Sequence, residues 1–238
     1  MHKLIVISST YAIALALAAT VAGAGVSVRT VAGDSASELP KTATTVAPLK
    51  AGVTYEASAF PIALRLTPPD RTWLGAQYLT GSHGKSAFGW VVAARPPVAK
   101  PLGALNIETA IGPAPSVNKT IANLRFGGSN PPETHVGGVE FAQPRATKVA
   151  GFAGRMFDGQ VWGKFGHTFL PFSPHVRGPA APPDHIYLRK GEAFRMIVLD
   201  VRGRTVVLTL ESFGLPADQF PAFLTSASRL LASLRFPS

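Results

Sequence analysis

Two carboxylates, Asp200 and Glu211, interrupt the aliphatic stretch "FRMIVLDVRGRTVVLTLESF" at 194–213. A pair of carboxyl groups about 5 to 9.5 Å apart would serve as the acid and base of a glycosidase. Their separation therefore decides whether that chemistry is within reach. With Arg202-Gly203 as a tight turn, Val201 faces Arg204, Asp200 faces Thr205 and Glu211 faces Phe194. The two acids then lie six positions apart along the ladder, roughly 20 Å at about 3.3 Å per residue. That is too far for a shared substrate, and the two are expected to be charges at opposite ends of a hairpin.

A second collection, Asp158, His167, His175, Asp184 and His185, surrounds the Pro-rich loop 171–183. Imidazole and carboxylate groups bind Zn or a similar divalent ion, and a metal-dependent hydrolase would use Asp158, His167, His175 and His185 in that way. The i, i+3 or i, i+4 spacings that preorganise such ligands are missing. These side chains are therefore expected in loops and at strand ends, with no metal or other cofactor. "GSHGKS" (81–86) lacks the Gly five positions before Gly84 that a phosphate-binding loop requires. No G-x-S-x-G elbow or H-E-x-x-H motif occurs, and there is no Cys to act as nucleophile, thiolate ligand or disulfide partner.

The remaining chemistry is charge. The chain has 23 Lys and Arg against 13 Asp and Glu, and the cations are scattered singly without aromatic interleaving, a pattern that points away from specific nucleic-acid recognition. Arg202 and Arg204 flank the hairpin tip and Arg189-Lys190 precede it, so one end of a sheet is expected to be locally positive. The partners expected for it are an anionic envelope polymer or lipid headgroups, held in a salt-screened manner.

These residues need elements to position them. Lys3, the apolar run Leu4–Ala22 and the small-x-small series Ala22-Gly23-Ala24 have the order of an export signal, with cleavage expected after Ala24. The alternative is an uncleaved membrane anchor over 4–22. Residues 25–46 are rich in Ser, Thr, Ala and Gly and are expected to form a flexible linker. Residues 47–238 then form one domain, a monomer working in an extracellular or periplasmic space. Within it "SAFPIALRL" (58–66), "SAFGWVVAA" (86–94), "ALNIETAI" (104–111), "GRMFDGQVWG" (154–163) and "DHIYLRK" (184–190) have strand character. "SVNKTIANL" (116–124) and 218–236 have helical apolar spacing, with Ser116 and Asp218 as caps. Trp73, Trp90 and Trp162 are expected in the core or at its edge. One face of the 194–211 hairpin carries Ile197, Leu199, Val201, Val206, Leu208 and Leu210, which calls for a helix on top of it, supplied by 218–236.

"FPIALRLTPPDRTW" (60–73), "GFAGRMFDG" (151–159) and the closing strand-to-helix run resemble small exported bacterial α/β domains and, more distantly, PsbP-like domains. The resemblance implies an α-β-α sandwich and a binding or assembly role. The expected class is thus α+β, a mostly antiparallel sheet covered by helices with Pro-rich loops. The expected function is an exported noncatalytic binding domain, with an exported hydrolase or a carrier of a lipid-like apolar ligand as alternatives.

Overall fold

A computed structural model describes residues 36–41, 47–58, 61–79, 83–90, 103–110, 113–126, 135–136, 138–163, 166–169, 171–172, 186–213, 215 and 217–238. In chain order the elements are β1 (Ser37–Glu38), β2 (Ala47–Pro48), β3 (Tyr55–Ala57), β4 (Leu64–Leu66), β5 (Trp73–Leu79), β6 (His83–Trp90) and β7 (Gly103–Ala110). There follow α1 (Val117–Phe126), β8 (His135–Val136), β9 (Val139–Phe141), β10 (Arg145–Val149), β11 (Phe152–Val161), β12 (His167–Phe169) and β13 (Ile186–Leu188). The chain closes with β14 (Ala193–Val201), β15 (Arg204–Glu211) and α2 (Phe220–Ala232), the last preceded by a 3-10 turn over Ala217–Gln219.

The hairpin forms with the expected register. Val201 pairs with Arg204, Asp200 with Thr205 and Phe194 with Glu211. The turn itself places both Arg202 and Gly203 at positive φ, the backbone that a two-residue hairpin of right-handed twist demands. β14 and β15 are the middle of a ten-stranded sheet in the order β2-β5-β6-β7-β15-β14-β11-β9-β8, with β10 also paired to β11. Alternation sends Ile197, Leu199, Val201, Val206, Leu208 and Leu210 into one core with Phe223, Ala227, Leu230 and Leu234 of α2 and the segment after it. Phe194, Met196, Val198 and Val207 point the other way, into a second core with Ile121 and Leu124 of α1 and Phe169, Ile186 and Leu188 of the β12–β13 pair. α1 begins where Ser116 accepts a hydrogen bond at Oγ from the Lys119 N–H, 3.4 Å away, the N-cap role its sequence position implies.

The α+β class is overturned. The molecule is mostly β, and the α-β-α sandwich implied by the resemblance is not what the chain forms. Two helices of 10 and 13 residues, among the described residues, each cover only part of one face. The rest of the cover is β: the β1-β3-β4 sheet on the α2 side and the β12–β13 pair on the α1 side. Strands of two or three residues such as β1, β3, β4, β12 and β13 are too short to display a period of two, so the sequence under-represents strand and the helical stripes carry too much weight.

Part of the expected linker is docked. Ser37 and Glu38 pair in parallel with Tyr55 and Glu56, Leu39 is fully buried in the α2-side core, and Lys41 forms a bridge with Gln77. Residues 1–24, the expected signal, lie outside the described residues. Among those described, no helix is long and apolar enough to cross a membrane.

Candidate functional site

The register separates the first carboxylate pair. Asp200 accepts the turn N–H of Gly203 at 2.7 Å, closing the hairpin. Glu211 is buried at the far end of the ladder and accepts a hydrogen bond from Asn106 Nδ2 at 2.7 Å. Each holds a piece of backbone or core in place, and no substrate could span both.

Asp158 and His167, the two described members of the metal set, do not converge. Asp158 faces the α2 side, where Arg195 donates to it through Nε at 2.6 Å and Nη2 at 3.1 Å, and Arg145 donates at 3.0 Å. Burial works against ionisation of this carboxyl, but hydrogen bonds and charge from the two arginines outweigh it and hold the group below the usual carboxylate range. His167 packs its ring against Phe169, 4.7 Å between centroids, in the α1-side core, where burial lowers its pKa. Two arginines already occupy the carboxylate, and the sheet lies between it and the imidazole. His175, Asp184 and His185 lie outside the described residues. Among the described residues no three His, Asp or Glu side chains form a group that could hold a metal ion.

The four basic candidates split between the two ends of the hairpin. Arg189 and Lys190 precede β14, while Arg202 and Arg204 follow it, and β14 has nine residues, roughly 25–30 Å of strand. Arg189 lies over the Phe213 ring, 5.3 Å from its centroid. Arg202 is a clamp: its guanidinium donates to the carbonyls of Phe236 and Pro237 at 2.7 and 2.8 Å and lies 5.7 Å from the centre of the Phe152 ring. Arg204 is exposed at the tip.

Other cations share this end of the sheet, on both of its faces, which sequence spacing does not reveal. Gly154 pairs with Leu199 and Lys148 with Ala153, so the Ala150-Gly151 turn of the β10–β11 hairpin sits at the same end of the sheet as the Arg202-Gly203 tip. Lys148 and Arg155 are thereby exposed on the α1 side of that end. Arg235 arrives from beyond α2, where it forms a bridge with Arg65. Its guanidinium donates to the carbonyls of Ala232 and Leu234. Lys148, Arg155, Arg204 and Arg235 have no carboxylate within ion-pair distance among the described residues.

A cleft of about 680 Å³ opens beside this end, between α2 and the β10–β11 turn. Its floor is Met156, Ile197 and Leu210 from the sheet, and its α2 wall is Leu224, Ser228, Leu231 and Ala232. Residues 147–151 form the opposite wall, and Arg235 and Arg195 contribute cationic groups. α2 packs over the β14–β15–β7 part of the sheet, and among the described residues the flank toward β10 and β11 is left open. On the opposite face the sequence also gave no signal for a polar layer beneath α1, where Glu108, Thr209 and Asn123 are buried with Arg125. Of the tryptophans, Trp73 is fully buried as expected, whereas Trp162 is 57% exposed; nothing is described of the Trp90 side chain.

No protein-family model matches the chain, and no curated protein matches it. Among solved structures the chain is similar to LpqN, a protein described as involved in cell envelope biogenesis of Mycobacterium tuberculosis. The match is 14% identical over 81% of this chain and 91% of LpqN, with a TM-score of 0.29. At that TM-score nothing about this chain follows from it.

Proposed function

We propose that this chain is an exported, noncatalytic binding domain for anionic components of a cell envelope, and that it binds them at the Lys148, Arg155, Arg204 and Arg235 end of the sheet. Export rests on the signal-like order of residues 1–24. The observation that carries the binding reading is that four cations from separate segments lie at one end of the sheet, Lys148 and Arg155 on its α1 side and Arg204 and Arg235 on its α2 side, none paired to a carboxylate among the described residues. Two acids are engaged with arginines elsewhere in the fold, Glu56 with Arg65 at 2.7 Å and Asp158 with Arg195 at 2.6 Å, while Asp200, at the same end as the cations, accepts the Gly203 N–H. Exposed ion pairs contribute only about 0–1 kcal/mol each, so such a surface holds a polyanion through several weak contacts. The metal-dependent form of the hydrolase alternative is not favoured by Asp158 and His167, which face opposite sides of the sheet.

The test is retention on a phosphate-bearing polyanion as a function of salt. Log affinity should fall linearly with log salt, and the triple variant Lys148→Gln, Arg155→Gln, Arg204→Gln should lower the slope by roughly two to three, since each engaged cation contributes a little under one. Arg202 is left in place because it clamps the C-terminal segment. Absence of salt-dependent retention in the native protein, or an unchanged slope in the triple variant, refutes the reading.

A further inference from the structure

We infer that the cleft between α2 and the β10–β11 hairpin holds the chain of a single-chain anionic amphiphile, with the anionic head at Arg204 and Arg235. The inference rests on the proposed anion-binding end and adds the class of ligand. A surface built only for polymer charge has no use for a trough partly lined by aliphatic side chains beside it. Yet Val149, Met156, Leu224 and Leu231 are all left half-buried around this one depression, over a floor completed by buried Ile197 and Leu210. A well-packed domain of this size would be expected to close such a gap. Its volume of about 680 Å³ lies within the range of about 300–1,000 Å³ typical of small-molecule sites.

Charge sets the polarity of the occupant. Among the described residues no carboxylate lines the cleft. On one side the charge of Arg195 is already met by Asp158. At the other end Arg235 lines the cleft with a guanidinium that has no carboxylate partner among the described residues, and Arg204, outside the lining, is exposed on the same face of the sheet, as its alternation with Val206 dictates. An anion is therefore drawn to the Arg204–Arg235 end, and a saturated chain attached to it lies along the Leu224–Leu231 wall toward Arg195. A neutral chain would leave the head cations unused, and a polymer without an apolar part would leave the trough empty.

The experiment uses the full exported chain and isothermal titration with octanoate, decanoate and dodecanoate below their micellar concentrations, with dodecyl phosphate in parallel to separate a phosphate head from a carboxylate. Affinity should rise about fourfold for each added methylene, equivalent to about 0.8 kcal/mol, at one site per chain. Ser228→Trp projects a ring from an exposed position of α2 into the cleft and should weaken dodecanoate at least tenfold with an unchanged melting temperature. Ala232→Phe does the same from the next turn, should the first variant disturb the helix. Arg235→Gln should weaken dodecanoate several-fold and leave decanol binding unchanged. Affinity that does not depend on chain length, or that is unchanged in both cleft-filling variants, overturns the inference. So does self-association that Ser228→Trp abolishes while dodecanoate has no effect, because the occupant is then a second copy of the chain. If chain-length dependence fails while polyanion retention persists, the cleft inference falls and the anion-binding reading stands. If retention fails while chain length still governs affinity, the anionic half of both is lost.

Discussion

Asp158 shows how a residue type misleads when its partners are distant in sequence. Beside histidines it has the composition of a metal ligand. In the fold it is the shared acceptor of Arg195 and Arg145, which reach it from β14 and β10. Because its folded-state pKa is depressed, its contribution to stability is present above the unfolded-state value, near 3.8, and is lost as pH falls through the lower folded value. We expect Asp158→Asn to cost about 1 kcal/mol at pH 7, a small figure because the site is about one third exposed. The gap between native and variant melting temperatures should close as pH is taken below about 4. A gap that is constant from pH 7 to 2.5 would mean that the carboxylate contributes shape and not charge. Asp200 and Glu211 were legible because only local register decides them. Arg202 was not: its role as a clamp depends on where Phe152, Phe236 and Pro237 end up.

Among the elements, the β14–β15 hairpin and α2 were legible to within a few residues, since each shows its own period: two for the strands, 3.6 for the stripe of Phe220, Phe223, Ala227 and Leu230. The helix start was less so, for Asp218 lies in the 3-10 turn and Gln219 takes the N-cap position without a side-chain hydrogen bond. The two sides of α2 make a contrast that can be measured. Leu230 is fully buried against the sheet, so Leu230→Ala should cost about 2–4 kcal/mol in urea unfolding. Leu224 faces the cleft and is only partly buried, so Leu224→Ala should cost about 1 kcal/mol or less and yet weaken dodecanoate. Equal costs at the two positions would mean that the cleft is closed in solution.

Taken whole, the chain is basic, and its N-terminal residues have the order expected of an export leader. Removing Lys3 with the leader leaves 22 cations against 13 acids, a charge of +9, and intact-mass measurement of the exported protein should give Gly25 as its first residue. Recovery of only the full-length, membrane-extracted chain would establish the anchor instead. The excess charge, the leader-like order, the absence of cysteine chemistry and the amphipathic hairpin and helix are all determined by the sequence itself, because composition and short-range periodicity need no knowledge of neighbours. The predominance of β structure, the basic end and the cleft were decided only by tertiary pairing. β7 lies beside β15 so that Asn106 meets Glu211 across 105 residues of chain, and β11 lies beside β14, with β10 beyond it, so that Lys148 and Arg155 lie at the hairpin-tip end of the sheet. Pairing between distant strands is chosen by which edges and faces remain available once other segments have docked, and strands of two or three residues carry too little pattern to announce that choice.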